Sequence, residues 1–326
     1  MNLRRLGSTA YHVSPIGMGL AALGRPGYIN LGHAEDLENY QIDTMERHTH
    51  TMLSAAWDAG IRYFDAARSY GRAEAFLGSW LLETKPEGLI IGSKWGYTYT
   101  ADWRVDAEVH EVKDHSVATL KKQWQETQAQ LGQRPDLYQI HSATLATGVL
   151  DNKAVLVSLS ELKAQGTAIG LSVSGSGQAQ TIERALRLET NGTKLFDTVQ
   201  ATWNLLEPSA GKALQLAHHE GVGVIVKEAL ANGRLTRRNH EAIFAPKLGT
   251  LSQQAERLHT TPETLALAAV VRQPWVDTVL SGAATEAQLH DNLTALSVVW
   301  DYEVADALSE FAEPDYWNTR AALSWS

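Results

Sequence analysis

Asp65 and Tyr70 stand five residues apart in YFDAARSYG, just beyond an apolar run. Lys94 follows the next apolar run, in IGSKWG, and His141 the one after, in YQIHSA. A carboxylate, a phenol, an ammonium and an imidazole thus each stand where a short apolar segment ends. Taken singly, each has an ordinary use: a loop cap, a packed aromatic, a solvated charge, a core histidine. Taken together they read as a proton donor with its supports. A free phenol titrates near ~10, too high to exchange protons readily at neutral pH. A neighbouring ammonium favours the phenolate and is expected to lower that value. A buried lysine in such a place needs a counter-ion, which Asp65 supplies. His141 would hydrogen-bond a carbonyl oxygen and hold it toward Tyr70. The outcome is an electrophilic clamp on a C=O group, with no metal and no obvious nucleophile. Reducing that carbonyl takes a hydride, which no side chain carries, so a nicotinamide cofactor is implied.

Such a clamp needs a scaffold that delivers three strand ends to one rim. Short apolar runs recur at 14–19, 61–64, 89–92, 137–140, 169–173, 196–201, 222–226 and 277–281, and read as strands. Helical patterns lie between and after them, roughly at 45–59, 74–83, 116–131, 152–165, 178–188, 209–219, 262–272 and 285–296. The first places Met45, Met52, Leu53, Ala56 and Trp57 near one face and has Gly60 as its stop. The seventh opens Thr261-Pro262-Glu263, an N-cap followed by proline at the first helical position. Eight strand–helix units with no linker give an α/β chain of the (β/α)8 TIM-barrel type, a single domain over 1–326. A doubly wound open sheet, which usually stops at five to seven strands, is the alternative. The N-terminal MNLRRLGSTAYHV reads as a short hairpin or strand rather than a secretory signal, because no apolar stretch follows its arginines. Stretches 20–43, 97–115, 228–250 and 300–326 read as irregular. Three of them follow a strand, 97–115 as the third βα loop and 228–250 as the seventh, which places them on the catalytic face. The last is rich in Trp and Tyr and either walls a substrate pocket or packs on the barrel. Trp95, Tyr97, Tyr99, Trp103 and Trp203 would add aromatic lining.

Composition narrows the classes. The 326 residues are 44% hydrophobic, enough for a sizeable core. A net charge of −9 argues against a nucleic-acid or anionic-membrane surface, while leaving room for a local basic pocket. There are no cysteines, which excludes disulfides and thiolate metal sites and favours a cytoplasmic home. No apolar stretch reaches the ~18 residues of a membrane span. SGSGQA at 174–179 has the look of a dinucleotide fingerprint but lacks its third glycine. His48 and His50 cannot share a metal from one helix, since two residues apart they sit about 200° around it; His218 and His219 are no better placed.

The chain closely resembles the aldo-keto reductase family, from LRRLG near the N-terminus to about residue 296, with FDAARSYG the strongest motif and SKWG and YQIHSA in the fitting order. The resemblance implies a catalytic tetrad of Asp65, Tyr70, Lys94 and His141, with Tyr70 as general acid. It implies NADP(H) or NAD(H) stretched across the catalytic face without a Rossmann fold, and a small-molecule carbonyl or alcohol as substrate. By position, Gly19, Leu20 and Asp65 would line the nicotinamide end, and Ser172 and Gln200 would hold the carboxamide. Lys227 would lie against the nicotinamide ring. Glu228, Ala229, Leu230, Gly233 and Arg234 would border the pyrophosphate. Gly282, Ala283 and Ala284 would approach the adenosine ribose, with Gln288 and Asn292 facing adenine and its 2′ side. The departures carry information. Val173 stands where members often have Asn, and Lys227 where an aromatic often stacks. Glu228 is unfavourable beside a pyrophosphate unless Lys227 or Arg234 neutralises it. The run 281–292 holds no Lys or Arg for a 2′-phosphate, which points toward NAD(H) unless Arg237 and Arg238 fold over. Two other uses of the fold are a cofactor-binding scaffold with little turnover and a Lys94 Schiff-base aldolase.

Overall fold

The computed structural model describes residues 1–37, 39–190 and 192–325. The chain opens with a hairpin of β1 (Arg4–Arg5) and β2 (His12–Val13). Then come β3 (Ile16–Gly19), β4 (Tyr63–Asp65), β5 (Ile90–Trp95), β6 (Tyr97–Tyr99), β7 (Glu111–Lys113), β8 (Leu137–Ala143), β9 (Ala168–Val173), β10 (Glu189–Thr190), β11 (Thr193–Lys194), β12 (Thr198–Thr202), β13 (Gly223–Lys227) and β14 (Thr278–Ser281). Among the described residues, eight of these strands close a barrel in the order β3-β4-β5-β8-β9-β12-β13-β14, every pairing parallel. Each barrel strand is followed by a helix: Ile42–Asp58, Ala73–Thr84, Val117–Leu131, Lys153–Ala164, Gln178–Leu186, Gly211–His219, Pro262–Val271 and Glu286–Thr294. This is the (β/α)8 architecture that the alternation of runs predicts.

Local signals account for several of the element ends. Ala59 caps the first long helix and Gly60 follows it at φ +92°, a backbone state that a side chain would strain. Thr261 accepts the Thr264 amide at 3.1 Å, and Pro262 opens the helix it caps. That helix is apolar all round because it is buried all round. One side lies on the barrel; Leu265 and Ala266 join a second cluster with Leu251, Phe244, Phe311 and Tyr316.

The barrel interior is filled in layers. At its bottom, Leu6 and Val13 of the hairpin meet Tyr63, Leu137, Ala168 and Ile225. Tyr63 reaches across the middle because Gly92 leaves room; a Cβ there would stand 2.4 Å from the Tyr63 hydroxyl. The top layer is polar: Asp65, Lys94, Gln139 and Gln200 are all buried, and the last three each donate to Asp65.

Regular structure also occurs where irregular chain was expected. Strands β6 and β7 pair within 97–115, too short for a period-two pattern to show. A helix over Ala245–Arg257 begins inside 228–250, with Gly249 diluting its early signal. Short helices at Tyr302–Ala307 and Tyr316–Ala321 break up the C-terminal stretch. Glu38 and Ser326, in the first and last of those stretches, lie outside the described residues.

Candidate active site

Asp65 is the last residue of β4 and Lys94 lies near the end of β5, one strand over. Lys94 Nζ donates to Asp65 Oδ2 and to the Ala66 carbonyl at 2.8 Å; both side chains are closed to solvent. Asp65 Oδ1 accepts from the Tyr63 hydroxyl at 2.8 Å, Gln200 Nε2 at 3.0 Å and Gln139 Nε2 at 3.3 Å. The chain after Asp65 keeps bonding to β5, with the Ala66 amide on Gly92 and the Arg68 amide on Lys94, before it turns at Tyr70. The Tyr70 ring centroid lies 4.6 Å from Lys94 Nζ. His141, on β8, meets the same ring edge-on at 5.5 Å. A register shift between Ile140 and Ala143, with Ser142 at φ +51°, bends β8 where His141 leaves it. The His141 Nδ1 lies 3.4 Å from the Ser69 hydroxyl. Strands β4, β5 and β8 thus bring all four residues to one mouth.

That mouth opens into a cavity of about 530 Å³ running from Tyr70 and His141 to Gly282, Gln288 and Asn292. Of the positions assigned to a cofactor, Gly19, Asp65, Gln200, Lys227, Glu228, Ala229, Leu230, Gly233, Gly282, Ala283, Gln288 and Asn292 line it. Gln200 and Asn232 line it too, and their acceptors Oε1 and Oδ1 are buried with no partner among the described residues. Idle acceptors match the NH2 of a carboxamide and the hydroxyls of a ribose. Basic side chains (Lys227, Arg320, Arg237, Arg238) are spaced along the walls, each paired with a carboxylate. The donor and acceptor set fits an extended dinucleotide.

Residues 15–313 match the aldo/keto reductase family. The chain belongs to that family. It is similar to the pyridoxal 4-dehydrogenase of Microbacterium luteolum, 27% identical over 91% of this chain and 92% of that one. It is also similar to the D-threo-aldose 1-dehydrogenase of a Pseudomonas species, at 25% over 88% and 92%. A third relative is the NADH-specific methylglyoxal reductase of Escherichia coli, at 24% over 94% and 97%. In fold it follows the holo form of an aldo-keto reductase from Bacillus halodurans, with a TM-score of 0.74 and 22% identity over 96% of this chain and 97% of that one. This aldo/keto reductase is an NAD(P)H-dependent oxidoreductase that interconverts small-molecule carbonyls and alcohols. Among the described residues, no helix is long and apolar enough to cross a membrane.

Four assigned positions of the aldo/keto reductase do not line the cavity. Leu20 turns its side chain into the core. The Ser172 hydroxyl is occupied with the Ser142 amide at 2.8 Å. Ala284 is tied by its amide to Gln288 Oε1 and by its carbonyl to His48 Nε2. Arg234 is fully buried, with its guanidinium 4.1 Å over the Tyr316 ring and donating to the Tyr316 carbonyl, so it anchors the C-terminal segment. Glu228 is neutralised chiefly by Arg320, from 92 residues away in sequence, with Nε 2.8 Å from Oε2. Lys227 stands 3.5 Å from the same carboxylate. Burial alone would raise the Glu228 pKa, but Arg320 and Lys227 outweigh it and hold the carboxyl far below the usual range. Trp325 of the aromatic C-terminal stretch lines the cavity, whereas sequence reasoning missed Arg320, Arg25 and Tyr28, which also line it, and Asp36, which accepts from Gln288. Of the five aromatic residues expected as lining, Tyr97 is there and Tyr99, at the end of β6, is not; Trp95 is in the core, Trp103 packs on Phe76 and Trp203 on Trp275.

The phenol expectation also needs correction. Burial, and then Asp65, push the Tyr70 pKa well above its ordinary value. The Lys94 charge that should have lowered it is answered at contact by Asp65. Burial pulls the Lys94 pKa down, and Asp65 opposes that. Burial, with Lys94, Lys227 and Arg25, drives the His141 pKa well below its ordinary value, which keeps the imidazole neutral. Arg68, between Asp65 and Tyr70 in sequence, turns away to Glu74 and Glu126. His50 meets Ser79 while His48 meets Ala284, so the two histidines face different elements.

Proposed function

We propose that this chain reduces a small aldehyde or ketone at the mouth of the barrel, and oxidises the corresponding alcohol in reverse, with Tyr70 as the proton donor. The observation that carries it is Tyr70 stacked over the Lys94–Asp65 pair, edge-on to His141, at the wall of a cavity with the idle Gln200 acceptor. A bound reduced nicotinamide supplies the hydride. The neutral His141 donates a hydrogen bond to the carbonyl oxygen and turns it toward Tyr70, as the imidazole electrophile of other carbonyl enzymes does. Tyr70 keeps its proton at neutral pH and passes it to that oxygen as negative charge develops. Asp65 holds Lys94 charged beneath the ring, and the ammonium steadies the phenolate left behind. Lys94, closed to solvent and donating to Asp65 and Ala66, has no open path to a substrate carbon, which disfavours a Schiff-base role.

For the cofactor, Gln200 would hold the carboxamide, and Gln288 and Asn292 would face the adenosine. The two arginines expected to reach a 2′-phosphate are engaged. Arg238 donates to Asp36 at 2.8 Å and Arg237 to Glu263 at 3.3 Å. Gln288 also donates to Asp36. A carboxylate so placed accepts a ribose hydroxyl and repels a phosphate, so we infer a lean toward NAD(H). The Escherichia coli relative named as NADH-specific agrees with that lean. The measurement is kcat/KM with each cofactor; an NADP(H) preference above about 100-fold, roughly 2.7 kcal/mol, contradicts it. We also take the chain to act as one catalytic domain in the cytoplasm.

Replacing Tyr70 with Phe tests the proton-donor assignment, using pyridoxal, methylglyoxal and aldoses as the substrate panel. Turnover should fall by about 100-fold or more, while NADH binding, followed by tryptophan fluorescence, stays within about threefold. A variant that keeps most of its turnover overturns the assignment.

A further inference from the structure

Beside the Tyr70 phenol stands a second ion pair, Arg25 with Glu111. Arg25 lies in the loop after β3, and that loop is interlocked with the Tyr70 turn. A Cβ on Gly24 would fall 2.2 Å from the Tyr70 carbonyl oxygen, and one on Gly71 would fall 2.4 Å from that of Gly24. The Arg72 amide donates to Gly24 at 2.7 Å. Arg25 is 3% exposed. Its Nη1 donates to the Ser69 carbonyl at 3.0 Å and to Glu111 at 3.1 Å. Its Cζ sits 5.3 Å from the Tyr70 ring centroid, 5.4 Å from Tyr28 and 4.6 Å from Trp325, and Trp325 stacks on His110 at 4.0 Å. The Arg25 Nε is buried without a partner among the described residues. Burying a guanidinium with unmet donors is unfavourable, and an apolar side chain would fill the space more easily.

We propose that Arg25 is a positioning residue for the proton donor: it pins the Tyr70 turn through Ser69 and sets a positive charge against the phenol that steadies the phenolate. This rests on Tyr70 being the acid. In the step, the Tyr70 O–H bond breaks, the carbonyl oxygen takes the proton as the carbonyl carbon takes the hydride, and solvent returns a proton to the phenolate. The groups facing Tyr70 come from every side: Asp65 on β4, Lys94 on β5, Tyr97 on β6, Glu111 on β7, His141 on β8, Glu228 after β13, and Tyr28 beside Arg25. Burial holds the Tyr28 and Tyr97 phenols up and His141 neutral, so these three carry no charge. After burial itself, Asp65, Glu111 and Glu228 push the Tyr70 phenol up while Arg25 pulls it down. Glu111 does not cancel Arg25, because its side chain is 24% exposed against 4% for Arg25, and water screens the carboxylate more.

The two halves of the pair should therefore act in opposite directions. Removing the cation leaves a weaker acid; removing its carboxylate leaves the cation unopposed and the acid stronger. The experiment is kcat/KM for carbonyl reduction against pH, with kcat and KM resolved, in Arg25→Met, Arg25→Lys and Glu111→Gln. Arg25→Met should lose about tenfold, Arg25→Lys should stay within about threefold, and Glu111→Gln should gain about threefold. The alkaline limb of Glu111→Gln should lie at lower pH than that of the unaltered enzyme. A merely structural pair predicts that Glu111→Gln slows the enzyme too, and that result overturns the proposal. So does an Arg25→Met change confined to KM with the limb unmoved, which would mark Arg25 as a substrate contact. If Arg25→Met does not fold, the direction and limb of Glu111→Gln decide alone. Ultraviolet difference titration of the Tyr70 phenol, against Tyr70→Phe, should shift downward in Glu111→Gln whether or not Tyr70 is the acid. Turnover in Tyr70→Phe therefore tests the acid assignment, and the titration tests Arg25.

Discussion

The barrel carries carboxylates at both ends: those at the bottom hold backbone amides of the next strand, Asp197 with Lys163 as well, and those at the top hold cations without such amides. At the bottom, Asp136, Asp197 and Asp277 each stand just before a strand and accept a backbone amide of the neighbouring strand. Asp136 takes Ile91 at 2.8 Å, Asp197 takes Ile169 at 2.9 Å and Asp277 takes Val224 at 2.8 Å. Each returns its own amide to the carbonyl of that same residue. Asp277 also takes the Gly7 amide and so fastens the hairpin beneath the barrel. These carboxylates extend the ladder past its last regular pair. At the top, Asp65 and Glu228 meet Lys94, Arg320 and Lys227, together with phenols and a hydroxyl. Burial does not separate the two ends, since Asp277 and Asp65 are both nearly closed to solvent. The partner does. A carboxylate on the amides of the next strand extends that strand's ladder, whereas Asp65 sits on a cation beneath a phenol, the pair that the proposed mechanism uses to move a proton.

The contrast can be broken from either end. The largest effect is expected for Asp65→Asn, which leaves Lys94 without its counter-ion. Carbonyl reduction should drop by about 100- to 10,000-fold, measured as kcat at saturating cofactor. Some stability should be lost as well, because an unpaired buried ammonium is unfavourable. If Asp65→Asn keeps turnover, the top carboxylates are structural like the bottom ones and the comparison collapses. A smaller effect is expected at the bottom. Asp277→Asn should lower unfolding stability by about 1–3 kcal/mol in urea titration while kcat stays within about twofold. A large loss of kcat there, with little change in stability, would show the two ends to be coupled.

Much of the fold was legible because strand and helix patterns alternate in units short enough to read one at a time. Val222–Val226 is apolar on both faces, as a strand covered by helices must be. Pro262 and Gly60 mark helix ends through backbone restrictions that act locally. The convergence of the four residues on one rim was legible for a related reason: Asp65, Lys94 and His141 lie toward the ends of barrel strands and Tyr70 in the turn after one, so place along the chain gives place on the rim. The partners of Glu228 and Arg238 were not. Arg320 reaches Glu228 from the C-terminal segment, and Asp36 reaches Arg238 across more than two hundred positions. Such contacts depend on how long loops fold back, and no periodicity encodes that. The misread of Arg234 has the same origin, since its spacing in VKEALANGRL fits the cavity while the docking of Tyr316 draws it away. The Tyr70 pKa was misjudged because a lysine was counted as a free charge, when Asp65 had already answered it.

Hydride delivery at this mouth is the claim on which the rest depends. Reduced nicotinamide carrying deuterium at its transferable position, mixed with an aldehyde that the enzyme turns over, tests it directly by mass spectrometry of the product. One deuterium should appear on the carbon that was the carbonyl, and the label should be lost in step with turnover in Tyr70→Phe. An alcohol product without label, or one formed as fast when Tyr70 is replaced, contradicts the account.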